Sequence, residues 1–345
     1  MRKPVTDAEW LPRSAMAMRG EAGGAVTDER HLTEKDQGVY HYTIGRYAEP
    51  VLRVVPGTRI VVETKDAFEG KIKTERHRPS ELIEMPFTNP QNGPIVVEGA
   101  RKGDVLAVYV ESIVPRGSQP RGTTCFLPEF GLLVGTDYTA TLNEPLSETV
   151  RKVEVNEQGV RWSPKITLPY APFIGTIGVA PEIDSISSLW PGKHGGNMDL
   201  PDVAPGHVIY LPVRSEGAYL YLGDCHAVQG DGEICGVAIE MAAEVSIVVD
   251  LIRDWPMVWP RVEAADWIMS VGSVRPLEDA VRIAYRDLIY WMEEGFAFDR
   301  LEAYMLLTQC GRVRVGNVVD PNYTVGASIS RRFLEAGDSE MTTKG

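Results

Sequence analysis

Short runs in which apolar and polar residues alternate begin after His41 and recur along most of the chain, among them Val51 to Val55, Arg59 to Glu63, Pro94 to Glu98 and Val105 to Ile113. Each is rich in Val, Ile or Tyr and is set off by Pro-Gly, Asn-Gly or Lys-Gly pairs, the punctuation of strands joined by tight turns. The pattern continues at Arg151 to Val155, Val160 to Ser163, Thr176 to Val179, His207 to Pro212 and Ala218 to Leu222. The run from Val237 to Leu251 reads as one strand or a strand pair. A stretch dense in Gly and Pro, Ser188 to Pro205, is expected to be a long loop without regular structure. Strands of this length and spacing predict a mainly β fold, sandwich- or barrel-like.

The period changes towards the C-terminus. Leu277, Val281, Ala284, Leu288 and Trp291 recur every three to four residues and predict a helix from Pro276 to Glu294. Asp299, with Glu302 three residues on, forms an acidic capping box that opens a second helix to Gln309. Gly311 then supplies a stop, and Val313 to Val319 returns to strand. The expected organisation is an extended arm over residues 1–28, a β-rich domain over 29–235 that carries most of the site, and a smaller α+β part over 236–345. There is no repeat at a fixed period.

Composition narrows the class. With 43% hydrophobic residues in 345, the chain can bury a large core. Forty-eight acidic against 35 basic residues give a net charge of −13, which repels phosphate backbones and anionic membrane surfaces and argues against nucleic acid as a partner. The most apolar runs are interrupted by Glu240, Glu244 and Asp250 well short of a bilayer span, so no membrane partner is expected. Met1-Arg2-Lys3 leads into no apolar secretory stretch. The four cysteines form no C-x-x-C pair. A cytoplasmic protein with reduced thiols is the expectation.

Candidate chemistry crowds into Gly223-Asp224-Cys225-His226-Ala227-Val228-Gln229-Gly230-Asp231-Gly232-Glu233. If the strand from Tyr219 runs through His226, a period of two puts Asp224 and His226 on one face and Cys225 on the other. Asp231 and Glu233 repeat the i, i+2 spacing after the Gly230 turn. Carboxylates converging on an imidazole are what Zn²⁺ or a similar divalent ion requires, with a position left for water. A Gly-rich hairpin with solvated acids is the plainer alternative. Inside the long loop, His194-Gly195-Gly196-Asn197-Met198-Asp199 offers further polar side chains on a permissive backbone. The expected metal ligands are Asp224 and His226 with His194 or Asp231, and the groups expected at the chemistry are Glu233, Asp231, His194 and Asn197. Asp199, Gln229, Glu63, Asp66 and Glu98 are expected to support them from behind. His31, His41, His77 and His207 read as ordinary surface or strand residues.

These two segments resemble the signature segments of the acetamidase/formamidase family. The resemblance extends through Pro56-Gly57 with Val62-Glu63-Thr64-x-Asp66, through Gly93-Pro94-Ile95-x-Val97-Glu98-Gly99-Ala100 with Gly103-Asp104-Val105-Leu106, and to Val318-Val319. It departs in carrying Asn89-Pro90-Gln91-Asn92 ahead of Gly93-Pro94. The resemblance implies a β-rich fold, hydrolysis of short aliphatic amides to a carboxylate and ammonia, a divalent metal (Zn foremost, Ca or another ion otherwise) and a homo-oligomer, dimer or higher. On that expectation the ion polarises the carbonyl and acidifies water, and Glu233 shuttles the proton to the leaving nitrogen. Two alternatives stay open: an amidase using Cys225 as nucleophile beside His226, and a non-catalytic β-sandwich that binds a metal or small ligand.

Overall fold

Two β-sheets face each other across one apolar layer, and helices cover the outer side of the first sheet. This computed structural model describes residues 26, 28–127, 130–134 and 146–334. The expected arm therefore lies outside the described residues except at residues 26 and 28.

The first sheet has nine strands, in the spatial order Asp28–Leu32, Thr58–Glu63, Ala243–Ile252, Val105–Pro115, Val208–Pro212, Arg261–Glu263, Trp267–Val274, Tyr323–Ser330 and Arg312–Asn317. The second runs from Ile166–Leu168 at one edge through Gly159–Ser163, Thr149–Asn156 and Arg121–Phe126 to the strands that carry the site. Those are β1 (Gln91–Val97), β2 (Phe173–Val179), β3 (Gly195–Asn197), β4 (Leu220–His226) and β5 (Glu240–Met241). Central β4 pairs antiparallel with β2 along its length, and with β1 and then β5 on its other side. β3 closes the far edge of β2, so the loop expected over Ser188 to Pro205 contains a short strand; Gly195 and Gly196 reach it through positive φ values of 92° and 84°.

Ile60, Val62, Val108 and Val110 from the first sheet meet Ile95, Val97, Leu220 and Leu222 from the second in the shared layer. The alternation Val-Ile/polar in Thr58–Glu63 places every second side chain there. The run predicted from Val237 as a strand or pair is a pair divided between the sheets: β5 belongs to the second, and Ala243–Ile252 lies in the middle of the first.

On the outer face of the first sheet, helix α1 (Leu277–Phe296) presents Ala280, Ala284, Leu288 and Trp291 to Val105, Val208 and Ala327. The small residues let the helix approach, and truncating Leu288 to Ala would cost about 2–5 kcal/mol. Helix α2 (Arg300–Cys310) starts where the sequence indicates, with the Asp299 side chain accepting from the backbone N–H of Leu301 and Glu302. The fold is thus mainly β with a small helical part near the C-terminus. The boundary expected at residue 236 does not separate the sheets, since Ala243–Ile252 pairs with both Thr58–Glu63 and Val105–Pro115.

Candidate active site

The site lies on the face of the second sheet turned away from the shared layer, and a break in strand phase puts it there. Along β4 the inward side chains are Leu220, Leu222 and then Cys225; opposite, along β2, they are Val179, Ile177 and then Ile174. Both strands step by three instead of two, while the residues on either side keep one register, from Leu220↔Val179 to His226↔Phe173. The step occurs where Asp224 adopts a left-handed backbone, φ 57°, across from Gly175. A Cβ on Gly175 would stand 2.8 Å from Asp199 Oδ1 and from the Asp224 carbonyl oxygen, and 2.9 Å from Asp224 Oδ2. Strict alternation would have turned Asp224 and His226 into the core; the break turns Cys225 there instead.

Five carboxylates gather around the His226 ring: Asp199, Asp224, Glu233, Glu240 and Asp320, all buried. Nε2 of His226 lies 3.5 Å from Asp224 Oδ1 and 3.2 Å from Glu240 Oε2, and its ring stands edge-on to Phe173. Nδ1 is 2.9 Å from Gln229 Oε1. Asn197 ties the acids together, its Nδ2 donating to Asp199 Oδ2 at 2.9 Å and Asp320 Oδ2 at 2.8 Å. Its Oδ1 accepts from Asn89 Nδ2 at 3.1 Å and from the Thr176 hydroxyl. Asn89 and Thr176 also donate to Asp224 Oδ2, at 2.8 and 3.1 Å. Among the described non-glycine residues, nine have positive φ, and four of them, Asn89, Asp199, Asp224 and Glu233, belong to this cluster. Strain of this kind persists only where surrounding bonds over-determine it, as the Asn197 network does here.

The electrostatics ask for positive charge. Burial, then the neighbouring carboxylates, raise the pKa of Asp199 well above its ordinary range. Burial likewise raises Glu233 well above its own, with Glu240, Asp320 and Asp224 adding to it against the opposing pull of His226. Glu240 and Asp320 are pushed up by burial to about 7. Burial alone would lower the His226 pKa, but Glu240 and Asp224 outweigh it and raise that pKa well above its usual value. Among the described residues no Lys or Arg side chain bonds to any of the five acids; Arg275 reaches only the main-chain oxygen of Asp320.

The donor set fits a divalent cation. Two groups, Asp224–His226–Glu240 and Asp199–His226–Glu233, each offer ligand atoms within 4.8 Å of one another, and Asp199 Oδ1 is buried without a hydrogen-bond partner. Oxygen donors with one imidazole suit Zn²⁺ and other divalent ions.

Of the residues singled out in the sequence, Asp224, His226, Glu233, Asn197 and Asp199 are brought together, with Gln229 behind the ring. Asp231 is not. Its exposed carboxylate pairs with Arg314 Nη1 at 2.7 Å, because Gly232 and Glu233 take left-handed conformations, φ 87° and 49°, and the strand-like i, i+2 arrangement does not form. His194 is buried just before β3, its Nε2 lacks a partner, and burial lowers its pKa to about 4; it does not line the cavity. Glu63 pairs with Arg116 at 3.2 Å, Asp66 Oδ1 accepts from Phe68 N and Gly70 N in a turn, and Glu98 is exposed. Sequence reasoning did not find Glu240, Asp320, Asn89 or Thr176. Glu240 interrupts an apolar run, the one local sign that its acid is held for a purpose.

A cavity of about 50 Å³ opens over the cluster. Asn197, Asp199, Asp224, His226, Glu233, Glu240 and Asp320 form its polar side, and Phe68, Ile83, Leu127, Phe130 and Val237 contribute to its apolar side. A larger cleft of about 750 Å³ beside Asp231, Arg312 and Arg314 is lined by none of the cluster residues. Size does not select the site here; the convergence of donors does.

Known proteins resemble the chain along nearly its whole described length. A model of the Acetamidase/Formamidase family matches residues 27–190 and 184–334. The crystal structure of an acetamidase from Yersinia enterocolitica superposes with a TM-score of 0.90 at 57% identity, covering 95% of this chain and 99% of that one. An acetamidase of Mycolicibacterium smegmatis is 28% identical over 305 residues, 68% of this chain and 74% of its own length. A relative from Schizosaccharomyces pombe is 25% identical over 256 residues, so the match spans only 60% of that protein and 57% of this one.

Proposed function

The chain belongs to the acetamidase/formamidase family, a family of amidohydrolases, and on that premise we propose that it hydrolyses small aliphatic amides to a carboxylate and ammonia with the help of one divalent metal ion. The observation that carries this reading is the convergence of Asp224, His226 and Glu240 beneath a small cavity, among five buried acids to which, among the described residues, no Lys or Arg side chain bonds. Asp224, His226 and Glu240 would hold the ion. When bound, it supplies a polarising charge for an amide carbonyl and makes water more acidic.

The chain's own residues do the rest. Glu233, on the cavity wall and raised in pKa by burial, takes a proton from the attacking water and returns it to the departing nitrogen. Asn197 and Thr176 hold the carboxylates in fixed orientations through the bonds described above. The cavity, at about 50 Å³, has room for about four water-sized positions at roughly 10–15 Å³ each, which fits an amide with one or two carbons. Cys225 fills no role in this scheme: it sits in the shared apolar layer, and burial pushes its thiol up to about 12.

The same reading includes a homo-oligomer and a reducing, cytoplasmic setting. The four cysteines are free, and no helix among the described residues is long and apolar enough to cross a membrane. Leu301, Tyr304 and Met305 on α2 expose 68%, 61% and 64% of their surface, an apolar face suited to a second copy. The test is elemental analysis of the purified protein together with ammonia release from formamide, acetamide, propionamide and urea. Roughly one tightly held divalent ion per chain, with turnover of the short amides that stops on chelation, is expected. Full turnover by metal-free protein would overturn the metal assignment, and no turnover of any amide would overturn the reaction.

A further inference from the structure

The apolar side of the cavity contains residues of two kinds. Phe68 and Val237 belong to a small buried cluster with Ala67, Ile72 and Cys125, and Ile83 and Leu127 pack against it. These side chains have a structural duty independent of any ligand. Phe130, like Met85 and Leu189, also lines the cavity, yet stands outside the hydrophobic clusters found among the described residues. Its ring lies on the backbone of Gly236: a Cβ there would stand 2.3 and 2.4 Å from ring carbons Cδ1 and Cε1. The contact is possible only because residue 236 lacks a side chain, and its φ of 85° also favours glycine.

Gly236 ends the turn that presents Glu233, its N–H donating to the Glu233 carbonyl at 2.6 Å. The segment after Phe130 is fastened to the same turn, Leu132 N–H donating to the Ile234 carbonyl at 2.9 Å. The ring is thus held at a fixed height over the polar floor by the same few residues that position Glu233. A substrate whose amide group lies against the acids would point its carbon chain towards the apolar side, where Phe130, seated on the turn that presents Glu233, forms a wall not already committed to the core, beside Met85 and Leu189.

We propose that Phe130, seated on Gly236, sets the length of acyl chain that the cavity accepts. This rests on the amide-hydrolase reading above. Phe130→Ala opens the cavity, and specificity constants for acetamide and butyramide measure the result. The ratio of butyramide to acetamide is expected to rise by at least about tenfold, the lower bound of what one misfitted methylene is worth. An unchanged ratio in a folded variant overturns the proposal. Gly236→Ala displaces the ring and also strains a left-handed backbone, so it should lower the rate on acetamide; the Phe130→Ala background should recover the share of that loss due to the ring, and a loss of the same size in both backgrounds would overturn the coupling. A binding readout separates this proposal from the reaction itself: thermal stabilisation of the metal-loaded protein by acetamide and by butyramide, with butyramide gaining in Phe130→Ala. If the wild type releases no ammonia from any amide, the functional reading fails, and these shifts alone decide whether Phe130 limits chain length.

Discussion

Gln229 fixes which nitrogen of His226 is free to act. Its Nε2 donates to two main-chain carbonyls, of Asp199 at 2.8 Å and Gly316 at 3.0 Å, so its Oε1 must be the atom that faces Nδ1 of the ring. An amide oxygen only accepts, so Nδ1 carries a hydrogen and Nε2 is left facing Asp224 and Glu240. Gln229→Ala should therefore weaken divalent-metal binding by about 10–100-fold, the usual effect of losing the partner behind a ligating imidazole. A metal-binding isotherm indistinguishable from wild type would count against this role.

Glu233 and Glu240 are both buried acids near one ring, but the proposed roles separate them. Glu233→Gln should keep the metal and lower kcat by about 10²–10⁴-fold, the range for loss of a general acid–base group. Glu240→Gln should lose metal first and activity in consequence. Metal content per chain, read beside kcat for the two variants, checks the assignment; the reverse pattern would exchange the roles.

Cys225 offers a test of the covalent alternative. Cys225→Ala should retain most of the wild-type rate, with a stability cost of about 1 kcal/mol from the apolar layer. No acyl adduct should appear on its peptide after rapid quench. Loss of several orders of magnitude in a folded, metal-loaded variant would restore the thiol as nucleophile.

His194 should make the fold sensitive to acid. Its ring is buried neutral, with a pKa lowered from 6.5 to about 4, so between those values the unfolded chain binds a proton that the folded chain does not. Stability falls as pH drops from 6.5 towards 4, by up to about 3 kcal/mol. Urea midpoints of wild type and His194→Gln across that interval give the contribution by difference: the variant should lose less stability on acidification. Equal slopes would show that the ring is not buried in its neutral form.

Much of this molecule is legible in its sequence, and the reasons for the rest are local. Period-two runs such as Thr58–Glu63 and the 3.6-period face of α1 announce themselves because one side of each is buried. The relation among Asp224, Cys225 and His226 is also visible, since neighbours in a strand point apart. Their phase relative to Leu220 and Leu222 is not, because it turns on the left-handed Asp224 opposite Gly175. Asp231 and Glu233 share the same spacing, yet positive φ at Gly232 and Glu233 sends only one of them inward. Asp320 and Asn89 lie about a hundred residues or more from β4 in sequence and meet it only through sheet topology, so no local pattern marks them.

The phase break also decides how this chemistry could be moved to another protein. The paired residues of β2 and β4 keep one register on either side of the break, and the ladder records it only as a missing rung at Gly175 and Asp224. Grafting Gly223 to His226 onto a flat strand of an ordinary sandwich would preserve the register while sinking Asp224 and His226 into oil and presenting Cys225 to the ligand. A designer would have to transplant a backbone shape, with Gly175 on the neighbouring strand, rather than a string of side chains. By the same logic, a change at Gly175 that flattened this single rung would exchange the site-facing side of the strand for core in one event, without altering the segment from Gly223 to Glu233.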